Sequence, residues 1–104
     1  MADLVEIRQH FANRTYLLTA HASSRAAERA IRSHEIEEAM LGCLLVEDYP
    51  NSDNGPRCLL LSYTKSGKPL HIVVSYPPAV KVITIYQPNI DDWSDDFMTR
   101  KSHE

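Results

Sequence analysis

Three basic side chains recur at intervals of four residues in an alanine-rich stretch of the sequence. They are His21, Arg25 and Arg29, and this spacing places them one above another on a single face of an α-helix. An imidazole beside two guanidiniums can hold a phosphate and move a proton next to it. The alternative is an ordinary solvated helix face whose arginines are neutralised by Glu28 and Glu35. Because charged helix faces are common, the spacing alone favours that alternative.

A second histidine, His71, lies within an apolar, strand-like segment. If a turn at residues 77–78 closes a hairpin, His71 is predicted to lie across from Thr84 and diagonal to Tyr86. An imidazole, a hydroxyl and a phenol would then share one surface of a sheet. The alternative is a core or edge histidine whose ring is satisfied by a backbone carbonyl, and the sequence does not decide between the two.

Aromatic and basic residues are interleaved around the predicted site. Tyr63 and Lys65 end one predicted strand, and Arg100 follows an acidic segment near the end of the chain. With Arg29 they are candidate substrate-binding residues, because stacking combined with phosphate contacts is how single-stranded RNA is bound. For Tyr63 alone, packing within a strand is the alternative.

Hydrophobic periodicity predicts the elements that must position these residues. Helices are predicted over residues 3–13, 20–31 and 33–41. Asp3, Thr19 and Ser33 are their predicted N-caps. A short edge strand is predicted just before Thr19. The pattern of the first helix does not decide whether that helix packs on the domain or forms a terminal arm.

After Gly42 the hydrophobic period changes from that of a helix to that of a strand. Strands are predicted over residues 44–49, 57–65, 70–76 and 80–86. The short links between them require antiparallel pairing, so we predict an α+β fold with two to three N-terminal helices on a meander of about four strands. Beyond the last strand, Trp93 and Phe97 are expected to dock on the sheet from a short helix or turn.

Composition limits the classes of protein that the chain can belong to. Its 104 residues suit one core, with a helix at 1–15, a domain at 16–101 and a frayed tail at 102–104. The net charge of −3 argues against coating nucleic acid by bulk electrostatics. No signal peptide, membrane-spanning run, glycine-rich phosphate loop or zinc motif is visible, so we expect a cytoplasmic protein without metal or cofactor. Cys43 and Cys58 are predicted to be buried thiols.

Four segments together resemble a family of small bacterial proteins catalogued as domain of unknown function 4258. They are His21-Ala22-x-x-Arg25-x-x-x-Arg29-x-Ile31, Leu70-His71-Ile72-Val73-Val74, Val82-Ile83-Thr84-Ile85-Tyr86-x-Pro88 and Trp93-x-Asp95-Asp96-Phe97. The resemblance covers about residues 16–101. Family members often have glycine where this chain has Ala30. The resemblance implies a toxin-like protein with the RelE-like or MqsR-like ribonuclease fold, often encoded beside an antitoxin. By matching positions, it implies His21, Arg25, His71 and Tyr86 as the catalytic residues.

Two functions from different classes follow from these observations. The first is a metal-independent endoribonuclease that cleaves messenger RNA, with an antitoxin-like protein as its partner. The second is a non-catalytic protein-binding module or inactive relative, which the acidic segment at residues 91–96 and the low isoelectric point favour. Neither function requires a membrane, and the sequence leaves self-association open.

Overall fold

The computed structural model describes residues 1–102 and contains three helices and one five-stranded sheet. The helices are α1 (Leu4–Ala12), α2 (Ala20–Glu28) and α3 (Ser33–Met40). The strands are β1 (Leu17–Leu18), β2 (Leu44–Tyr49), β3 (Arg57–Tyr63), β4 (Pro69–Ser75) and β5 (Lys81–Tyr86). The α+β class and the N-terminal position of the helices are as predicted. None of the described helices is long and apolar enough to cross a bilayer.

The helix ends show which of the predicted caps form. The carboxylate of Asp3 accepts a hydrogen bond from the Glu6 amide, and the Thr19 hydroxyl accepts one from the Ala22 amide. The third cap is a correction, because Ser33 is already helical and Arg32 occupies the cap position. The Glu35 carboxylate satisfies the Arg32 amide there.

Helix α2 ends three residues earlier than predicted, at Glu28. The chain reverses through Ala30, whose φ of 53° lies in the left-handed region. Glycine adopts such a conformation without steric strain, whereas a residue with a Cβ does not. The turn is therefore built on a strained alanine.

The sheet has the strand order β1-β5-β4-β3-β2. Strands β2 to β5 form the predicted antiparallel meander. The short strand β1 adds a fifth member, paired parallel to the first residues of β5. Because β1 contains only Leu17 and Leu18, the rest of β5 lies beside α2, whose N-cap Thr19 contacts Ile83 and whose first-turn His21 contacts Thr84.

The predicted register between β4 and β5 is wrong by two residues. His71 pairs directly with Tyr86, and Val73 pairs with Thr84. The Ser75 hydroxyl donates to the Ala79 carbonyl and accepts from the Lys81 amide, so the turn is longer than assumed. An irregularity after Val73 adds the remaining shift.

Alternating residues of the central strands face two different environments. The paired residues Leu60, Ile72 and Ile85 face the helices and belong to the hydrophobic core. Helix α1 contributes Ile7 and Phe11 to the same core, and both are fully buried. Helix α1 is therefore packed on the domain.

The opposite side of the sheet, the outer face, carries the paired residues Leu61, His71 and Tyr86. Residues 89–102, the C-terminal segment, cover part of it with turns and one isolated bridge between Trp93 and Arg100. Trp93 is buried, as predicted for a docking residue, whereas the Phe97 side chain is only partly buried. The expectation of a frayed tail stays a prediction, because residues 103–104 lie outside the described residues.

Candidate functional site

The imidazole of His71 is fully buried, and both of its nitrogens are hydrogen-bonded. Nδ1 lies 3.0 Å from the Tyr86 hydroxyl, and Nε2 lies 2.9 Å from the Phe97 carbonyl oxygen. A carbonyl oxygen can only accept, so Nε2 carries the proton and Nδ1 accepts from the phenol. This is the carbonyl-satisfied alternative of the sequence analysis, with Tyr86 as an additional partner.

Burial keeps the His71 ring neutral. The ring meets Trp93 edge-on at a centroid distance of 4.4 Å. Burial lowers the pKa of His71 below its ordinary value of 6.5, and this effect outweighs the opposite influences of the Phe97 carbonyl and Glu47. With no free nitrogen, His71 reaches a ligand only through Tyr86.

Arg100 joins the C-terminal segment to the far strand of the sheet. Its guanidinium donates to both carboxylate oxygens of Glu47 on β2, at 2.9 and 3.0 Å, and lies 4.7 Å from the centre of the Trp93 ring. Tyr49 donates a further hydrogen bond to Glu47. The structure thus gives Arg100 a structural contact, and its predicted role in substrate binding stays a prediction.

His21 has the opposite setting from His71, because it is exposed at the sheet edge. Its Nε2 lies 3.0 Å from the Thr84 hydroxyl on β5. Two residues earlier, the Thr19 hydroxyl donates to the Ile83 carbonyl at 3.0 Å while capping α2. These contacts tie the first turn of α2 to β5 and orient the imidazole.

Arg25 and Arg29 continue the same side of α2 beyond His21. Arg25 pairs with Glu28 at 3.0 Å, and the two side chains are 48% and 60% exposed. Arg29 lines a concavity together with Gln87, which directly follows β5. Within residues 1–102, Arg29 forms no ion pair.

We call the boundary between this side of α2 and the second half of β5 the α2–β5 seam. His21 lies beside Thr84 at one end of it and Arg29 beside Gln87 at the other, so helical spacing places Arg25 between them. The outer-face positions of β5 alternate, so Thr84 and Tyr86 are neighbours. The seam therefore adjoins the His71–Tyr86 pair, and His21, Arg25, Arg29 and Tyr86 are brought to one region.

The remaining predicted binding residues lie around the hairpin between β3 and β4. Lys65 is 89% exposed and forms an ion pair with Glu38 of α3 at 3.8 Å, so the structure does not bring it to the seam. Tyr63 pairs with Pro69, which lines the same concavity as Arg29. Tyr63 itself lies on β3, which β4 separates from the seam, so its predicted role in binding stays a prediction.

Within residues 1–102, no group of three or more histidine, cysteine, aspartate or glutamate side chains could hold a metal ion. Both cysteines are buried as predicted, and burial raises the pKa of Cys58 to about 12.

Sequence reasoning missed the Phe97 carbonyl, since a backbone acceptor has no residue-type signal. It also missed Glu47 as the partner of Arg100, although a charged residue inside a predicted strand is a signal that could have pointed to it.

The fold and site define a small α+β domain with a basic helix face along one edge of an antiparallel sheet. Residues 18–87 match the profile of a protein family described as a domain of unknown function, DUF4258. The chain belongs to this family. The match contains the whole α2–β5 seam but ends before the C-terminal segment. No curated protein matches the chain, and no solved structure matches it.

Proposed function

We propose that the chain is a metal-independent endoribonuclease of the bacterial toxin type that cleaves single-stranded RNA at the α2–β5 seam. The observation that supports this function is the hydrogen bond between His21 and Thr84, which orients an exposed imidazole beside Arg25 and Arg29. The RelE-like and MqsR-like relationship, the antitoxin-like partner and a cytoplasmic site of action belong to the same proposal.

In this mechanism His21 is the general base. When Nε2–H donates to the Thr84 hydroxyl, the Nδ1 lone pair is free to accept a proton. It takes the proton of a ribose 2′-hydroxyl, whose oxygen then forms a bond to the adjacent phosphorus. The bond from phosphorus to the 5′-oxygen breaks, and that oxygen takes a proton from water. The products are a 2′,3′-cyclic phosphate and a 5′-hydroxyl.

The two arginines of the seam bind and stabilise the phosphate as negative charge accumulates on it. Arg29 forms no ion pair within the described chain and is available at once. Arg25 first exchanges its contact with Glu28 for the phosphate. An exposed pair of this kind contributes only about 0–1 kcal/mol, so a dianionic transition state readily displaces Glu28 from Arg25.

Tyr86 has the role of positioning the substrate base, and His71 positions Tyr86. The phenol proton is directed to His71 Nδ1, which fixes the ring rather than leaving it free to rotate. The partly exposed ring offers a face for stacking an unpaired base. This assigns His71 an indirect role, in place of the direct proton transfer that the sequence left open.

The test is cleavage of a labelled single-stranded RNA in the presence of a chelator. We expect His21→Ala to slow cleavage about 100-fold, which is the usual effect of losing a general base. His10→Ala is the matched control, since His10 also bonds a threonine hydroxyl, that of Thr15 at 2.8 Å, but on α1. Wild-type products should carry 2′,3′-cyclic ends, and DNA of the same sequence should stay intact.

Equal cleavage by wild type and His21→Ala would exclude this mechanism. Expression in a bacterium gives a second readout, because a toxin should arrest growth and Arg29→Gln should relieve the arrest.

The alternative, a non-catalytic binding module, is favoured by the exposed carboxylates of Asp91, Asp95 and Asp96. Harmless expression together with intact RNA would support that module instead.

A further inference from the structure

A second concavity, of about 570 Å³, opens at the other end of β5. It lies between the loop that leads into β3 and the turn that joins β4 to β5. We call it the Arg57–Lys81 groove, after the two cations that line it. Its other lining residues are Thr19, Asn54, Gly55, Pro56, Ser75, Tyr76, Pro77, Ala79 and Ile83.

The charge of this groove differs from that of the chain as a whole. The protein has a net charge of −3, yet the lining contains two cations and no carboxylate. Within the described residues, neither Arg57 nor Lys81 forms an ion pair. A concave surface with one sign of charge concentrates ligands of the opposite sign.

Two hydrogen bonds hold the Arg57 guanidinium in one orientation. Its Nη2 donates to the Asn54 carbonyl at 2.8 Å and its Nε to the Gly55 carbonyl at 3.3 Å. These bonds fix the guanidinium and leave the Nη1 donors without a partner, so less side-chain freedom is lost when a phosphate binds. Lys81 adds an exposed ammonium group on the neighbouring part of the groove.

The walls between these cations are partly apolar. Tyr76 contributes a partly buried aromatic ring, and Pro56 and Pro77 contribute saturated apolar rings. The Tyr76 hydroxyl is already bonded to Asp48, so the polar end of this side chain is anchored within the protein. An aromatic ring beside cations is a combination with which proteins bind the bases and phosphates of single-stranded nucleic acid.

The groove is continuous with the α2–β5 seam. Thr19 and Ile83 line the groove and are hydrogen-bonded to each other, and the next residue of β5, Thr84, contacts His21. At the far end of the seam, Arg29 lines one concavity without a carboxylate and a second one that also contains Lys68 and Glu35. Concavities with at least one cation in their lining thus lie on both sides of His21 along β5.

We propose that the Arg57–Lys81 groove binds the nucleotides that flank the cleaved bond on one side of a single-stranded RNA. The RNA would follow β5, with two backbone phosphates at Arg57 and Lys81, the reacting phosphate at His21 and further nucleotides at Arg29. This inference rests on the proposed function for its choice of ligand, and its test measures binding separately from cleavage.

The experiment measures the affinity of a 12-nucleotide RNA with 2′-O-methyl riboses, which cannot be cleaved, by fluorescence anisotropy at several salt concentrations. The variant is Arg57→Gln/Lys81→Gln. The control is Arg14→Gln/Arg32→Gln, which removes the same charge from two exposed cations that line neither the groove nor the seam. Loss of two phosphate contacts should reduce the slope of log K against log salt by about 1.4, because each contact to a single strand contributes about 0.7.

The control should leave the slope unchanged, and equal reductions in both variants would overturn the inference. A dinucleotide substrate provides a second check. Its cleavage should be insensitive to the groove variant, because it does not reach the groove, while cleavage of the 12-nucleotide RNA weakens. If wild type binds RNA with the expected groove dependence but cleaves nothing, the proposed function fails and the groove assignment stands.

Binding of an acidic peptide with the same dependence on Arg57 and Lys81, without binding of RNA, would overturn the groove assignment. Cleavage of the 12-nucleotide RNA by the groove variant at the wild-type rate and affinity would also overturn it, while leaving the proposed function intact. The two proposals therefore fail separately.

Discussion

The outer face under the C-terminal segment and the α2–β5 seam each contain a histidine hydrogen-bonded to a hydroxyl, yet the two regions differ in every other respect. His71 is fully buried and has two hydrogen-bond partners, whereas His21 is exposed and has one. Around His71, Arg100 is paired with Glu47 and packed on Trp93. Around His21 the arginines face solvent.

This difference teaches which polar groups serve the fold and which are free for a ligand. A buried polar group that is fully hydrogen-bonded stabilises one conformation, and losing one partner leaves the other unsatisfied. An exposed group with spare donors contributes little to stability and keeps its capacity to bind. Histidine therefore stabilises the fold in one region and is available to a ligand in the other, and the two regions meet at Tyr86.

The largest effect expected is on stability, from His71→Ala. This change removes two hydrogen bonds, leaves the Tyr86 hydroxyl and Phe97 carbonyl unpaired, and opens a cavity beside Trp93. We expect the free energy of unfolding to fall by about 3 kcal/mol in a chemical denaturation experiment. His21→Ala should change it by less than about 0.5 kcal/mol. Similar losses in the two variants would show that the regions do not differ as described.

The same comparison can be made with pH. The pKa of His71 is lowered by burial, so between pH 6.5 and the lower folded-state value the unfolded chain binds more protons than the folded one. Stability should therefore decrease as the pH falls below about 6.5. Denaturation midpoints measured from pH 7.5 to 5 should show this decrease, and His71→Gln should reduce it. A decrease of the same size in both proteins would assign the effect to another group.

The turn that follows α2 contains a backbone strain at Ala30 that a substitution can relieve. Ala30 has a φ of 53°, so Ala30→Gly should raise the free energy of unfolding by about 1 kcal/mol. The control is Ala27→Gly, an exposed position inside α2, which should lower it by about 1 kcal/mol. Thermal denaturation of both variants measures whether each substitution raises or lowers the stability. Destabilisation by both would mean that the turn does not require the left-handed conformation.

The smallest effect expected is the difference in coupling energy between the ion pairs of the two regions. A double-mutant cycle on Glu47 and Arg100 should give a coupling of about 0.8 kcal/mol, because the pair is bidentate and the guanidinium is packed on Trp93. The pair of Arg25 and Glu28, which is exposed and three residues apart on one helix, should give about 0.3 kcal/mol. Equal couplings would remove this distinction.

The elements of the fold could be predicted because each has a local signal. The apolar periodicity of α1, the cap at Thr19 and the change of period after Gly42 all act within a few residues. The seam could be predicted in outline for the same reason, since the spacing of His21, Arg25 and Arg29 is a property of one helix. Local signals thus account for the fold class and the basic helix face.

The remaining features depend on contacts between distant parts of the chain. The register of His71 with Tyr86 depends on the Ser75 hydroxyl, which takes part in closing the turn and could not be distinguished from an ordinary strand residue. The pairing of Arg100 with Glu47 joins residues 53 positions apart. The short edge strand before Thr19 was predicted and is present as β1, but its parallel pairing of Leu17 with Lys81 is set by a distant part of the chain.

Trp93, the single tryptophan of the chain, is 4% exposed against the ring of His71. Its indole is thus an intrinsic optical probe of whether residues 89–102 lie on the sheet. A shift of its emission towards that of a water-exposed indole would signal local opening of this part of the chain without any attached dye. Undocking could then be timed against global denaturation in one cuvette.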